Sequence, residues 1–279
     1  MKDTISNPAT AYAAAQPRAR GAVRISARRR GDRSVLGTLY QSGSTKALLP
    51  RTHTEDLQAV LLNTAGGITG GDRFDYRADV LRGARLSLST QAAERAYRAH
   101  PDETGQVEVA MTVEDGARLS WLPQETILFD GARLRRRLAV DLTGDAQFIA
   151  VEAIVFGRTA MGERLNTMSF RDTWTIRRDG ALIFKDALRF EGDGEEILSR
   201  PATLGGHRAM ASILLTCAEA ERRLPLLRAA LSDTGGASLI RDGVLAARLT
   251  APDGFTMRKA LLPALETLTG KSLPKVWTL

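Results

Sequence analysis

Glu152 interrupts the apolar run Phe148–Phe156. Read as a strand, this run puts Phe148, Ala150, Glu152, Ile154 and Phe156 on one face, and Ile149, Val151, Ala153 and Val155 on the other. A carboxylate on an apolar face is costly unless it is paired or watered. Two readings follow: an ion pair with an arginine on a neighbouring strand, or one wall of a water-lined path. Glu125 and Asp130 lie in a second apolar stretch, bounded by Pro123 and Gly131. Two acids near one turn suit glycoside hydrolysis, but their separation is not fixed by sequence. Aromatic residues that would platform a sugar make up only 5% of the chain. A tight transition-metal site would use imidazole or thiolate. His53, His100, His207 and Cys217 are scattered, and each reads as structural or solvent-facing. No nucleophile elbow and no Cys–His–Asn set is present, so catalysis has no visible seat.

The most distinctive segment runs from Leu61 to Phe74 and holds Asn63, Gly66, Gly67, Gly70, Gly71, Asp72 and Arg73. Glycines this dense mark a backbone that visits positive φ or passes close to a neighbour. Phosphate cradling is excluded on charge, because a P-loop carries lysine where Asp72 stands. The dinucleotide spacing Gly-x-Gly-x-x-Gly cannot be read here either. A bulged turn between strands remains, as does a loop that sets Asn63 and Asp72 beside a polar channel or a partner.

These residues need a scaffold, and the text supplies mainly strands. A small grammar recurs: Gly83-Ala84-Arg85-Leu86, Gly116-Ala117-Arg118-Leu119, Gly131-Ala132-Arg133-Leu134, Asp145-Ala146-Gln147-Phe148 and Gly180-Ala181-Leu182-Ile183. The spacing is irregular, so no fixed solenoid period is read. Tight turns between successive strands favour large stacked, β-helix-like antiparallel sheets in a mainly β fold. A hairpin is expected over Val23–Tyr40, a single helical turn or two over Gln91–Arg98, and a strand over Met210–Thr216. Two helices belong to the C-terminal third, over Ala218–Leu231 and Gly254–Leu268, with a hairpin at Asp242-Gly243 between them. No compositional break marks a linker, so residues 20–279 form one domain behind a disordered arm over residues 1–19.

The chain has 279 residues, 43% of them hydrophobic, a net charge of +7 and a pI near 10.0. Lys2, Arg18, Arg20, Arg24, Arg28, Arg29, Arg30 and Arg33 face only Asp3 and Asp32, so nearly all of that charge lies in the first 34 residues. A basic arm on a near-neutral body argues against nucleic acid. Arg133, Arg135 and Arg137 share one strand face and are expected to be solvated. No apolar run is long enough to span a membrane. One cysteine suits a reducing cytoplasm.

The chain resembles the UreD family of urease accessory proteins. The resemblance rests on Asn63-Thr64-Ala65-Gly66-Gly67-Ile68-Thr69-Gly70-Gly71-Asp72-Arg73-Phe74 and on Thr90-Gln91-Ala92-Ala93 leading to Tyr97-Arg98. It continues through the block Trp121–Gly131, Phe156-Gly157-Arg158 with Met161-Gly162-Glu163, and Leu273-Pro274-Lys275-Val276-Trp277. These blocks keep family order over about residues 20–279. The resemblance implies a non-enzymatic scaffold that docks on apo-urease and holds UreF, which recruits the GTPase UreG. It also implies an internal polar tunnel for Ni²⁺ in transit, with no tightly bound cofactor. Scarce strong ligands are compatible with such passage. Candidate wall residues are Asp72, Glu125, Glu152 and Asp186, the last from the resemblance alone.

Overall fold

The computed structural model describes residues 17–52, 54–158, 161–231, 233 and 235–278. The expected arm falls outside them through residue 16, as does His53. The strands are β1 (Arg20–Arg30), β2 (Arg33–Gly43), β3 (Thr45–Leu48), β4 (Leu57–Asn63), β5 (Arg73–Val80), β6 (Arg85–Thr90), β7 (Glu94–Ala96) and β8 (Gly105–Val113). They continue with β9 (Arg118–Leu122), β10 (Thr126–Leu128), β11 (Arg133–Leu142), β12 (Gln147–Phe156), β13 (Met168–Arg178) and β14 (Ala181–Gly192). Helix α1 (Gly194–Ser199), β15 (Ala209–Thr216), α2 (Ala220–Ala230), β16 (Gly235–Arg241), β17 (Val244–Ala251) and α3 (Gly254–Thr269) follow, and a 3-10 turn over Lys275–Trp277 lies in the tail.

Two sheets stack face to face. The front sheet runs β14-β13-β11-β8-β5-β1-β2, and the back sheet runs β16-β17-β15-β12-β9-β6-β4-β3, with β10 and β7 attached beside β12. Helices α2 and α3 cover the outside of the back sheet. There Met257, Leu261, Leu265 and Leu268 meet Ile149, Val151, Ala153 and Val155. The mainly β, stacked architecture and the two C-terminal helices match expectation. The short α1, capped by the Asp193 carboxylate on the Glu196 N–H, was not foreseen.

Strand direction is a correction. The long central run of each sheet is parallel, in the order β1, β5, β8, β11, β13 in front and β4, β6, β9, β12 behind. Antiparallel pairs occupy the flanks. The recurring grammar explains why. At Leu81–Ala84, Glu114–Ala117 and Thr143–Ala146 the chain makes a four-residue turn, with glycine third in the first two and second in the last, and Ala84, Ala117 and Ala146 each donate back to the turn's first carbonyl. Their Gly83, Gly116 and Gly144 lie at positive φ and the three alanines are fully buried. Each corner carries the chain from the front sheet to the back one instead of returning it alongside itself. The next coil then stacks on the last, as Arg85↔Arg118 and Arg118↔Gln147 show. Tight turns alone do not distinguish a hairpin from such a corner.

Other expectations fared unevenly. The hairpins β1–β2 and β16–β17 form as read. Gln91–Arg98 is not helical, because its backbone is drawn into β7 between β10 and the Gly-rich loop. Register shifts occur in β1–β2, β13–β14 and β16–β17, and in none of the parallel pairs. Among the described residues no helix is long and apolar enough to cross a membrane.

Candidate functional site

Between the two sheets the apolar interior is split in two. One half contains Phe148, Ala150, Leu138 and Trp174; the other contains Ile154, Phe156, Leu134 and Phe170. The inward-facing residues at the boundary are polar: Glu152 on β12, Arg136 on β11 and Asp172 on β13. Arg136 Nη1 lies 2.6 Å from Glu152 Oε2 and Nη2 lies 2.6 Å from Asp172 Oδ2. The side chains are only 9%, 8% and 4% exposed. Trp121 Nε1–H donates to Glu152 Oε1 at 2.8 Å, and Arg136 Nη1 donates to Thr126 Oγ1 at 2.9 Å. The guanidinium also stands over the Phe170 ring.

The ion-pair reading of Glu152 is therefore correct in kind, but the arginine comes from the opposite sheet and not from an adjacent strand. Burial raises the Glu152 carboxyl to about 7; Arg136 pulls it down, Asp172 pushes it up and the Trp121 N–H pulls it down. Burial disfavours the Arg136 cation, yet the two carboxylates outweigh it and raise its pKa. One cation between two carboxylates leaves the cluster with an excess negative charge whenever all three are ionised.

A cavity of about 60 Å³ opens beside the triad, lined also by Tyr76, Thr90, Glu94 and Gln124. This is room for a few waters. Tyr76, Thr90 and Glu94 also line a second, roomier pocket beside Asn63 and Gly66. Glu94 thus stands between the two. Burial raises its pKa, countered by the Asn63 amide and the Arg95 N–H. Burial also raises the Tyr76 phenol, with Glu94 adding to the effect. On the other side, Ser212 is the register partner of Glu152 and Arg248 is that of Ser212. Arg248 Nε donates to Ser212 Oγ at 3.3 Å and Nη2 reaches Asp186 Oδ2 at 2.5 Å. Asp186, Arg248 and Ser212 line a third pocket. Polar side chains therefore follow one another across the inter-sheet layer from Asn63 to Asp186.

The proposed wall residues are distributed unequally along this seam. Glu152 is central and Asp186 sits at one end. Glu125 neighbours Thr126, but its carboxylate faces Arg258 of α3 at 3.5 Å. Asp72 is buried, and both its oxygens are engaged by backbone, Oδ1 by the Ala19 N–H at 2.7 Å and Oδ2 by the Thr69 N–H at 2.8 Å. Asp72 thus fastens the Gly-rich loop to the start of β1, and Arg18 beside it pairs with Glu103. Arg73 opens β5 on the outer face of the front sheet. Asn63 Nδ2 donates to the Gly67 carbonyl at 3.0 Å and to Glu94 Oε2 at 3.1 Å. Gly67 has φ +153°, and a Cβ there would lie 2.3 Å from the Tyr97 ring. Gly70 packs against Glu103, and Gly71 against Arg18. Asp72→Ala orphans two amides and is expected to cost about 2 kcal/mol in urea unfolding; a loss below about 0.5 kcal/mol would contradict this fastening role.

Sequence reasoning missed Arg136, Asp172 and Glu94. Alternation that turns Arg133, Arg135 and Arg137 outward necessarily turns Arg136 inward with Leu134 and Leu138. Asp172 lies in the same way between Phe170 and Trp174. Glu94 gave no such signal, since it belongs to the segment misread as helical. Asp130 is held by the Asn166 and Thr167 N–H groups and by Arg98, apart from Glu125. Among the described residues no group of three His, Cys, Asp or Glu side chains could hold a metal ion.

A family model described as UreD urease accessory protein matches residues 19–278. The chain is 48% identical over 264 residues to the urease accessory protein UreD of Roseobacter denitrificans, covering 95% of this chain and 96% of that one. It is 50% identical over 249 residues to that of Ruegeria pomeroyi, covering 89% and 97%. It is 44% identical over 274 residues to that of Rhizobium leguminosarum bv. viciae, covering 97% and 99%.

Proposed function

The chain belongs to the UreD family of urease accessory proteins, and from that premise we propose that it docks on apo-urease and on UreF, with UreG, and gives Ni²⁺ a path towards the urease site. The observation that carries the reading is the buried Arg136–Glu152–Asp172 cluster, set where polar side chains cross the layer between the sheets. A structural ion pair alone gives no reason for the further polar groups leading away on both sides. A divalent cation is a hard-to-borderline acid that moves through water and oxygen donors without being trapped when imidazole and thiolate are scarce. Glu152 offers such an oxygen, and Arg136 guards it. An arriving ion would compete with the guanidinium for the same two carboxylates, so the cluster serves as a gate and not as a store. The chain's own part is to bind partners and to position the acids; bond making and breaking are not assigned to it. Its place of action is the cytoplasm.

Glu152→Gln preserves shape and the Trp121 hydrogen bond while removing the charge. Urease activation in cells carrying this variant is expected to fall by about tenfold or more, as for loss of a metal-handling group. The variant should still co-purify with UreF, UreG and apo-urease. Full activation by Glu152→Gln would sink the transit reading and leave a pure interaction scaffold. Loss of co-purification would show that the residue supports assembly instead.

A further inference from the structure

The outer face of the front sheet carries a row of arginines that becomes visible only in the strand register. Arg20 pairs with Arg73, Arg73 with Gln106, Gln106 with Arg135, Arg135 with Arg171, and Arg171 with Arg189. All six side chains point away from the core, because their neighbours Ala19, Phe74, Val107, Leu134, Phe170 and Phe190 face it. The row crosses the sheet from β1 to β14, roughly 24 Å at the usual strand spacing.

Like charges directly opposite on adjacent strands are destabilising. Here they are repeated, and the chain provides little relief. Nearby acids are engaged elsewhere: Asp75 with Arg77 at 2.9 Å and Glu108 with Arg137 at 3.7 Å. Glu191 pairs with Arg189 at the end of the row, and the nearby charges of Arg133 and Arg171 also favour its ionised form. Among the described residues, Arg20, Arg73, Arg135 and Arg171 form no ion pair. The face itself is also uncovered, although parallel sheets usually bury both faces.

We propose that this row is a docking site for an acidic helix of a partner protein, a helix that presents one carboxylate per turn along its length. Such a helix repeats every 5.4 Å or so, close to the strand spacing of about 4.8 Å, and arginine side chains absorb the difference. An extended strand offers same-face residues only every 6.6 Å or so and drifts out of step. Guanidinium groups also suit carboxylates, which they grip with two parallel hydrogen bonds. A nucleic acid fits less well. The next row, Ala22-Asp75-Glu108-Arg137-Thr173-Ala187, brings two carboxylates alongside, and Glu191 stands on the opposite flank. Asp75, Glu108 and Glu191 thus interrupt the positive potential on both flanks, where Arg137 and Arg133 also stand. The choice of a protein occupant rests on the accessory-protein reading.

The test uses the full chain and a fluorescent alanine-based helix of about 20 residues with glutamate once per turn. A glutamine version of the peptide and a single-stranded oligonucleotide serve as comparisons. The glutamate helix should bind, with affinity falling as salt rises, and the glutamine helix should not. Arg135→Glu/Arg171→Glu should weaken binding about tenfold or more. The gentler Arg135→Gln/Arg171→Gln should weaken it less and melt no lower than the parent, because like-charge crowding is relieved. Equal binding of both peptides, undiminished binding by both double variants, or tighter row-dependent binding of the oligonucleotide would overturn the proposal. No nickel is present in this assay, so its failure is separate from that of the Glu152→Gln experiment.

Discussion

Arg136→Met should unfold at markedly lower urea than the parent, with a stability loss of about 3–5 kcal/mol near neutral pH. The methionine replaces the volume of the arginine stem but leaves Glu152 and Asp172 facing each other in an apolar layer. Removing one partner from a buried ionic cluster is expensive because the remaining charges have lost both water and counter-ion. Glu152 responds by taking up a proton, and this gives the prediction a sign. In the parent, Glu152 is raised from 4.5 to about 7, so the folded state holds more protons than the unfolded one between those values. Its contribution to stability is present below the unfolded pKa and is lost as pH rises through the folded one. Without Arg136 the Glu152 carboxyl should rise further, so Arg136→Met should recover stability as pH falls from 8 to 5. Adding Glu152→Gln and Asp172→Asn should restore most of the loss at pH 8. A deficit below about 1 kcal/mol that ignores pH would mean that the cluster is solvated and not a sealed ionic cluster.

Trp277→Ala is expected to cost a similar amount, about 3–5 kcal/mol, the range for emptying a large aromatic site. The indole is 1% exposed and packs into the layer between the back sheet and α3. Its Nε1–H donates to the Leu122 carbonyl at 3.0 Å. Arg258 stands over the ring, donates to the Trp277 carbonyl at 2.8 Å and reaches Gln124 Oε1 at 2.6 Å. The tail thus holds α3 against the segment carrying Glu125 and Thr126, and Thr126 in turn touches Arg136. Urea unfolding measures the loss. Trp277→Phe should recover most of it, keeping the ring stack and losing one hydrogen bond. If Trp277→Ala loses less than about 1 kcal/mol, the tail is an appendage and not part of this packing.

How far the sequence could be read depended on the distance over which each feature is specified. Alternation in Phe148–Phe156 gave both faces of β12 correctly, because side-chain direction is a property of consecutive residues. The helix over Gly254–Leu268 was legible for the same reason, with Asp253 capping one end and Gly270 in the left-handed region at the other. Arg136 and Asp172 each carried the same local signal as Glu152, but their meeting depends on which coils face each other across the core. Strand direction was misjudged at the corners, since Gly83, Gly116 and Gly144 serve a sheet change as readily as a hairpin. The arginine row lies beyond any local pattern, because its members come from separate coils and only register aligns them. Asp72 looked available for chemistry because sequence does not disclose that the Ala19 and Thr69 amides occupy it.

The register shifts confined to β1–β2, β13–β14 and β16–β17 bear on how such a protein survives alone. A stack of parallel coils is open-ended in principle, since each exposed border offers unpaired amides and carbonyls to a further strand. Folding the chain back on itself with one residue out of step skews the border and spoils it as a template. Both ends of the front sheet and one end of the back sheet are finished in this way. A chain with borders of this kind is thereby discouraged from fibre growth through its own selvedges.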